Sequence, residues 1–254
     1  MVSWTNICYA ASCFSGIIPG TISWRLRFQN DAKYLNSQKR NFLETKIQEM
    51  ASKLSIQQPV NLIEIKGLLV GAQAQGNALL PAKLGIAINP ELFNQISRGE
   101  QEFILAHELS HIKANDHLWG GVICGLVGAL VTLALCLRFP SLSTQPKSLL
   151  LKIVGSPAAI LGQVAYLFAF TLFTRWREKR ADLSGASICS DQVRLAAVQH
   201  FEKESTLLIA ERNDSEGSFL SRLWKRILIS PEGGVRLDIF HPSFKTRANY
   251  LRSI

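Results

Sequence analysis

Two long stretches without a charged side chain constrain this chain more than any other feature. Residues 118–137 form 20 uncharged positions in a row, and residues 153–174 form 22. About 20 apolar residues in a helix cross a hydrocarbon core. A globular domain of this size seldom needs two helices with no polar face. Residues 118–174 therefore read as a transmembrane helical hairpin inserted into the chain. Residues 1–24 are a candidate membrane anchor: no charge precedes Arg25, and the apolar part from 7 to 24 lacks the basic lead of a secretory signal.

The rest of the chain is polar. Residues 25–117 and 175–254 flank the hairpin, and basic side chains cluster beside the apolar runs. Arg25, Arg27, Lys33, Lys39, Arg40 and Lys46 lie on one side, and Arg175, Arg177, Lys179, Arg180, Arg194 and Lys203 on the other. The loop 138–152 has only Arg138, Lys147 and Lys152. Positive flanks favour the cytoplasmic side, so both polar parts are expected in the cytosol and the loop outside. The net charge of +9 invites a nucleic-acid reading, but the chain has no nucleic-acid motif and no stripe of basic and aromatic residues, so none is expected. Five cysteines with no C-x-x-C spacing imply neither a disulfide framework nor a thiolate metal site.

Apolar points at Leu35, Phe42, Leu43, Ile47, Met50 and Leu54 predict a helix over 30–54. Short strands are expected at 60–65, 68–70 and 85–88. Asn89-Pro90-Glu91 opens a short helix. Ser97 and Glu100 form a capping box for the next one, which is expected to run on past Lys113 toward the first apolar run. Another helix is predicted over 191–212, and loops at 214–218 and 231–234.

The helix opened by Ser97 carries His107-Glu108-Leu109-Ser110-His111. Residues four apart share a helix face, so both imidazoles can point at one metal ion. Glu108 sits about 100° round the helix, where its carboxylate can reach a water on that metal. Two His ligands with a neighbouring Glu base suit a zinc peptidase. A catalytic zinc ordinarily has a third protein ligand, and Glu178 is the first candidate. Asp182, one turn later on the same face, can accept a hydrogen bond from a ligand imidazole and fix its tautomer. Two membrane crossings return the chain to its starting side, so Glu178 can meet His107 and His111 in one compartment. His117 and His200 are read as an interfacial and a solvated histidine.

His-Glu-Leu-Ser-His, a hydrophobic hairpin, then Glu178, Ala181, Asp182, Gly185 and Ala186 resemble the HtpX-type membrane metallopeptidases, which are related to the type I CAAX prenyl proteases. Gly76-Asn77-Ala78 is similar to that family's segment before an edge strand, and His241-Pro242 followed by Arg247 to its C-terminal element. The chain departs from the pattern in its single N-terminal apolar segment and in Lys179, where an aromatic is common.

The resemblance implies a mainly α fold with a small β-sheet, a zincin-like (gluzincin) catalytic domain interrupted by the hairpin. It implies one Zn2+ held by His107, His111 and Glu178, with Glu108 as base and Asp182 behind a ligand imidazole. His241 and Arg247 are expected to line the active site, stabilising the oxyanion or holding substrate. Asn77 and the strand with Ile86 and Ile88 are expected to hold an extended peptide by strand addition. The partners implied are polypeptides, membrane proteins among them, and the lipid bilayer; the location implied is a bacterial inner membrane, with the site facing the cytosol. Two alternatives stay open: a processing enzyme of the CAAX type, and a membrane scaffold that keeps zinc without turnover.

Overall fold

Asn36 decides where the first described helix starts. Its side chain accepts the Lys39 N–H at 2.8 Å, and α1 runs Ser37–Lys53. The start lies seven residues later than the apolar periodicity alone suggests, because a side-chain acceptor here satisfies a first-turn donor. Leu43, Ile47 and Met50 are buried, as their spacing predicts. The structure, a computed structural model, describes residues 34–66, 68, 71–76, 84–116, 119, 126, 130, 157–214, 216, 218–235 and 241–254.

Three strands follow: β1 (Val60–Glu64), β2 (Ala72–Gln75) and β3 (Leu84–Ile88). They form one sheet in the order β1-β3-β2. β1 is parallel to β3, with Val60 opposite Leu84, and β2 is antiparallel to it, with Ala74 opposite Ile86. Of the strand expected at 68–70, residues 69 and 70 lie outside the described residues, and the second strand described is Ala-Gln-Ala-Gln. Pairing with β3 decides this more than β propensity does.

The strand order corrects one expectation. β3 is the central strand, paired on both sides, with Ile86 and Ile88 fully buried. It has no edge to offer a peptide, so strand addition at Ile86 and Ile88 is ruled out. The outer strands of the described sheet are β1 and β2. The Gly71 carbonyl accepts the Asn89 N–H at 2.9 Å, so by alternation Gln73 and Gln75 face β3 and the backbones of Ala72 and Ala74 face outward.

Asn89 caps α2 (Pro90–Phe93), with Pro at its start. Ser97 and Glu100 close the capping box at the head of α3 (Arg98–Lys113). α3 stops at Ala114 instead of running into the apolar stretch. Asn115 turns the chain with φ 57°, a left-handed conformation that Asn tolerates better than most residues. α4 spans Pro157–Ile188 and α5 Asp191–Asn213. Two further helices, α6 (Phe219–Leu228) and α7 (Phe244–Arg252), have no counterpart in the sequence reading.

The chain divides into two compact units, residues 1–31 with 117–172, and residues 32–116 with 173–254. In the first, the regular structure described is the initial part of α4. The second holds two apolar cores that share α3. Leu105, Leu109 and Ile112 pack with α1 and the sheet. Phe103 packs with Ala186, Val193, Ala197, Phe201, Ala248 and Leu251 from α4, α5 and α7. Among the described residues no helix is long and apolar enough to cross a membrane. Residues 1–24, the loop 138–152 and nearly all of the run 118–137 lie outside the described residues, as do Asn77 and His117.

The cap of α3 yields a pH test. Burial alone raises the Glu100 pKa, but hydrogen bonds from Ser97 and the nearby His200 outweigh it and hold the carboxyl below its ordinary value. The folded pKa is therefore depressed. The stabilisation is fully present above the unfolded value of about 4.3 and is lost as pH falls through the folded value. Ser97→Ala should cost about 1 kcal/mol in denaturant unfolding at neutral pH, and Glu100→Gln should flatten the acid limb of the stability curve.

Candidate metal centre

α3 brings His107 and His111 to one face, and the second unit's part of α4 lays Glu178 across them. The two Nε2 atoms are 3.0 Å apart. Glu178 Oε2 lies 3.4 Å from His107 Nε2, and Oε1 lies 3.5 Å from His111 Nε2. All three side chains are buried, and their ligand atoms lie within 4.8 Å of one another.

The donor set fits a metal. Each imidazole uses Nδ1 for a buried carboxylate: His107 meets Asp182 Oδ1 at 2.8 Å, and His111 meets Asp116 Oδ2 at 2.5 Å. With the Nδ1–H donated there, the Nε2 lone pairs face Glu178 and each other. Three acceptors converging in a buried site repel one another unless a cation lies among them. Protonation can serve instead. Burial opposes charge on His107, yet Asp182 and Glu178 outweigh it and lift its pKa to about 10. Burial likewise pushes Glu178 up, but the two imidazoles hold it far below the usual carboxylate range.

Asp182 is the deepest of these groups, with no exposure. Arg247 grips it with both arms, Nε to Oδ2 at 2.8 Å and Nη2 to Oδ1 at 2.6 Å, and the Tyr250 hydroxyl donates to Oδ2. Burial favours the neutral acid, but Arg247 and His107 keep Asp182 strongly acidic. The Arg247 guanidinium stacks on Phe201 at 4.2 Å and is committed to Asp182, the carboxylate behind His107. His241 stays where expected. Its Nε2 is 3.8 Å from Glu178 Oε2 and its side chain is 45% exposed. It lines a cleft of about 580 Å³ with Arg175, Ser230, Val235 and Arg247.

Glu108 lies outside the ligand triangle, half-buried. Its Oε2 accepts the Ala74 N–H at 2.5 Å, which joins this carboxylate to β2. His200 pairs with Glu100 at 2.9 Å, away from the metal ligands.

Sequence reasoning missed Asp116. It lies five residues past His111, off the helical repeat, and the left-handed turn at Asn115 swings it back. It is 1% exposed, accepts from Arg180 and lies 3.9 Å from Arg177 Nε. An acid just beyond an H-E-x-x-H helix followed by Asn was the available signal. Gly185 has a packing reason as well. A Cβ there would lie 3.0 Å from the His107 nitrogen and 3.1 Å from the Ala106 carbonyl carbon, so a side chain here would push α4 and α3 apart by a few tenths of an ångström. Asp116→Ala should lower metal affinity about 10- to 100-fold in competition titrations, with helix content retained. Gly185→Ala should weaken metal binding too, and lower stability by about 1–3 kcal/mol.

Comparison with known proteins agrees with this centre. No solved structure matches the chain. It is 29% identical over 151 residues to a "Protease HtpX homolog" of Syntrophotalea carbinolica, covering 54% of this chain and 52% of that protein. It is 26% identical over 187 residues to a "Protease HtpX homolog" of Campylobacter hominis, covering 68% and 62%. It is 25% identical over 175 residues to the "Protease HtpX" of Histophilus somni, covering 66% and 57%. The chain thus spans between 52% and 62% of the length of these relatives. The family model "Peptidase family M48" matches residues 37–254, which takes in every metal-centre residue named above: the chain belongs to peptidase family M48.

Proposed function

We propose that this protein is a membrane-bound zinc endopeptidase of the quality-control type, cleaving membrane or misfolded proteins. The observation that carries the reading is the meeting of His107 Nε2, His111 Nε2 and the Glu178 carboxylate, with the Glu108 carboxylate held nearby by the Ala74 N–H. Zinc bound by the three ligands supplies a Lewis acid for the scissile carbonyl and brings the pKa of water toward about 7.

The chain's own residues do the rest. An extended substrate runs past β2 toward Glu108, and Asn77, two residues after the strand in sequence, contributes to holding it. The Ala74 N–H holds Glu108 Oε2, and Oε1 takes the proton of the attacking water. The same carboxyl then passes that proton to the leaving amine. His241, exposed on the cleft, donates to the developing oxyanion. Asp182 and Asp116 hold the imidazoles in the Nδ1–H tautomer, and Arg247, Tyr250 and Arg180 hold those carboxylates.

The membrane reading rests on the two uncharged runs. Five of their described large apolar side chains, Trp119, Leu126, Leu130, Phe168 and Leu172, are 51% to 65% exposed, while Phe170 and Phe173 are half-buried; the exposed five form a surface that lipid covers better than water does. Basic flanks on both polar parts favour the cytosolic face of a bacterial inner membrane for the site. The intact Glu108 and its contact with β2 argue against a silent scaffold, since a structural metal has no use for a base.

Glu108→Gln should keep the metal and lose about 10²- to 10⁴-fold in kcat on unfolded or membrane-protein substrates, and a chelator should abolish turnover of the wild type. Undiminished hydrolysis by the Gln variant would rule this function out.

A further inference from the structure

α6 reads Phe-Leu-Ser-Arg-Leu-Trp-Lys-Arg-Ile-Leu. Leu220, Leu223, Trp224 and Ile227 follow the i, i+3, i+4, i+7 pattern and share an arc about 100° wide. All four are exposed, at 64%, 43%, 59% and 45%. Arg222, Lys225 and Arg226 occupy the opposite arc, and the helix has no acid. Lys225 reaches back to Asp214 at 2.6 Å. Lys225 thus ties α6 to its own protein, while the apolar arc and both Arg222 and Arg226 are exposed to the surroundings.

The surroundings indicate what covers that face. Ser230, two residues past α6, lines the same cleft as Arg175 and His241. Arg175 is the first charged residue after the uncharged run 153–174, and Trp176 beside it is 56% exposed. The end of α6 therefore lies close to the point where the second unit leaves that run. Four side chains on a ten-residue helix are also too small a patch for a stable dimer, which buries about 800 Å² per partner.

We infer that α6 is an interfacial helix that lays Leu220, Leu223, Trp224 and Ile227 into the surface of an anionic bilayer, with Arg222 and Arg226 near the headgroups. It rests on the membrane reading proposed above and adds to it. The turn after α6, where Ser230 donates to the Gly234 carbonyl at 2.7 Å, leads straight into the cleft wall. Seating α6 in the lipid surface holds the cleft mouth at headgroup level, where a polypeptide leaving the bilayer first becomes accessible.

The test uses the full-length protein reconstituted into phosphatidylcholine–phosphatidylglycerol vesicles. The emission difference between wild type and Trp224→Phe isolates Trp224. Its emission should be quenched about two-fold or more by lipid brominated in the upper acyl chain and should resist aqueous iodide. Arg222→Glu with Arg226→Glu should reduce that quenching in anionic vesicles more than in neutral ones. Iodide quenching of Trp224 in protein that floats with the vesicles would overturn the inference and leave the membrane reading standing. Shielding from both quenchers would overturn it in favour of a protein occupant, a second copy or a substrate segment. Failure to float with the vesicles would overturn the membrane reading and this inference together.

Discussion

The buried Asp182 carboxylate holds the centre together. It receives the His107 imidazole from α3, two guanidinium N–H groups and a phenol from α7, and it is itself carried by α4. A carboxylate with no exposure is costly unless its lone pairs are filled, and here they are. Three helices from distant parts of the sequence are thereby tied to one side chain. Glu178, one turn earlier on α4, takes its position from the same anchor, and Gly185, just after it, lets the two helices close at His107.

Asp116 is a second, smaller version of the same device. It joins His111 to Arg180 and so links the end of α3 to the stretch of α4 that bears Glu178. Each ligand imidazole thus has its own buried carboxylate, and each carboxylate its own arginine. Both arginines lie outside the ligand triangle, so the centre is orientated from behind by charge, while the face toward Glu108 and β2 is left for chemistry.

The helical parts of the site were legible in the sequence because their geometry is local. Spacing of four puts His107 with His111 and Glu178 with Asp182, whatever the rest of the chain does. Asp116 escaped because its position depends on one left-handed residue, Asn115, that breaks the helical repeat. Arg247 was placed at the site without its pairing to Asp182, since sequence distance says nothing of which carboxylate a guanidinium will meet. Ile86 and Ile88 failed for a related reason: a buried apolar strand looks the same at the centre of a sheet as at its edge, and only the order β1-β3-β2 separates the two. The outer strand Ala-Gln-Ala-Gln carries no β signal of its own.

The central claim is that one zinc ion lies among His107, His111 and Glu178. Zinc K-edge absorption spectroscopy on the purified full-length protein tests it most directly. The account predicts one zinc per chain with two imidazole nitrogens at about 2.0–2.1 Å and oxygen ligands at about 2.0–2.2 Å, and loss of that signal in Glu178→Ala. A sulfur shell at about 2.3 Å, or a first shell unchanged by Glu178→Ala, would contradict it.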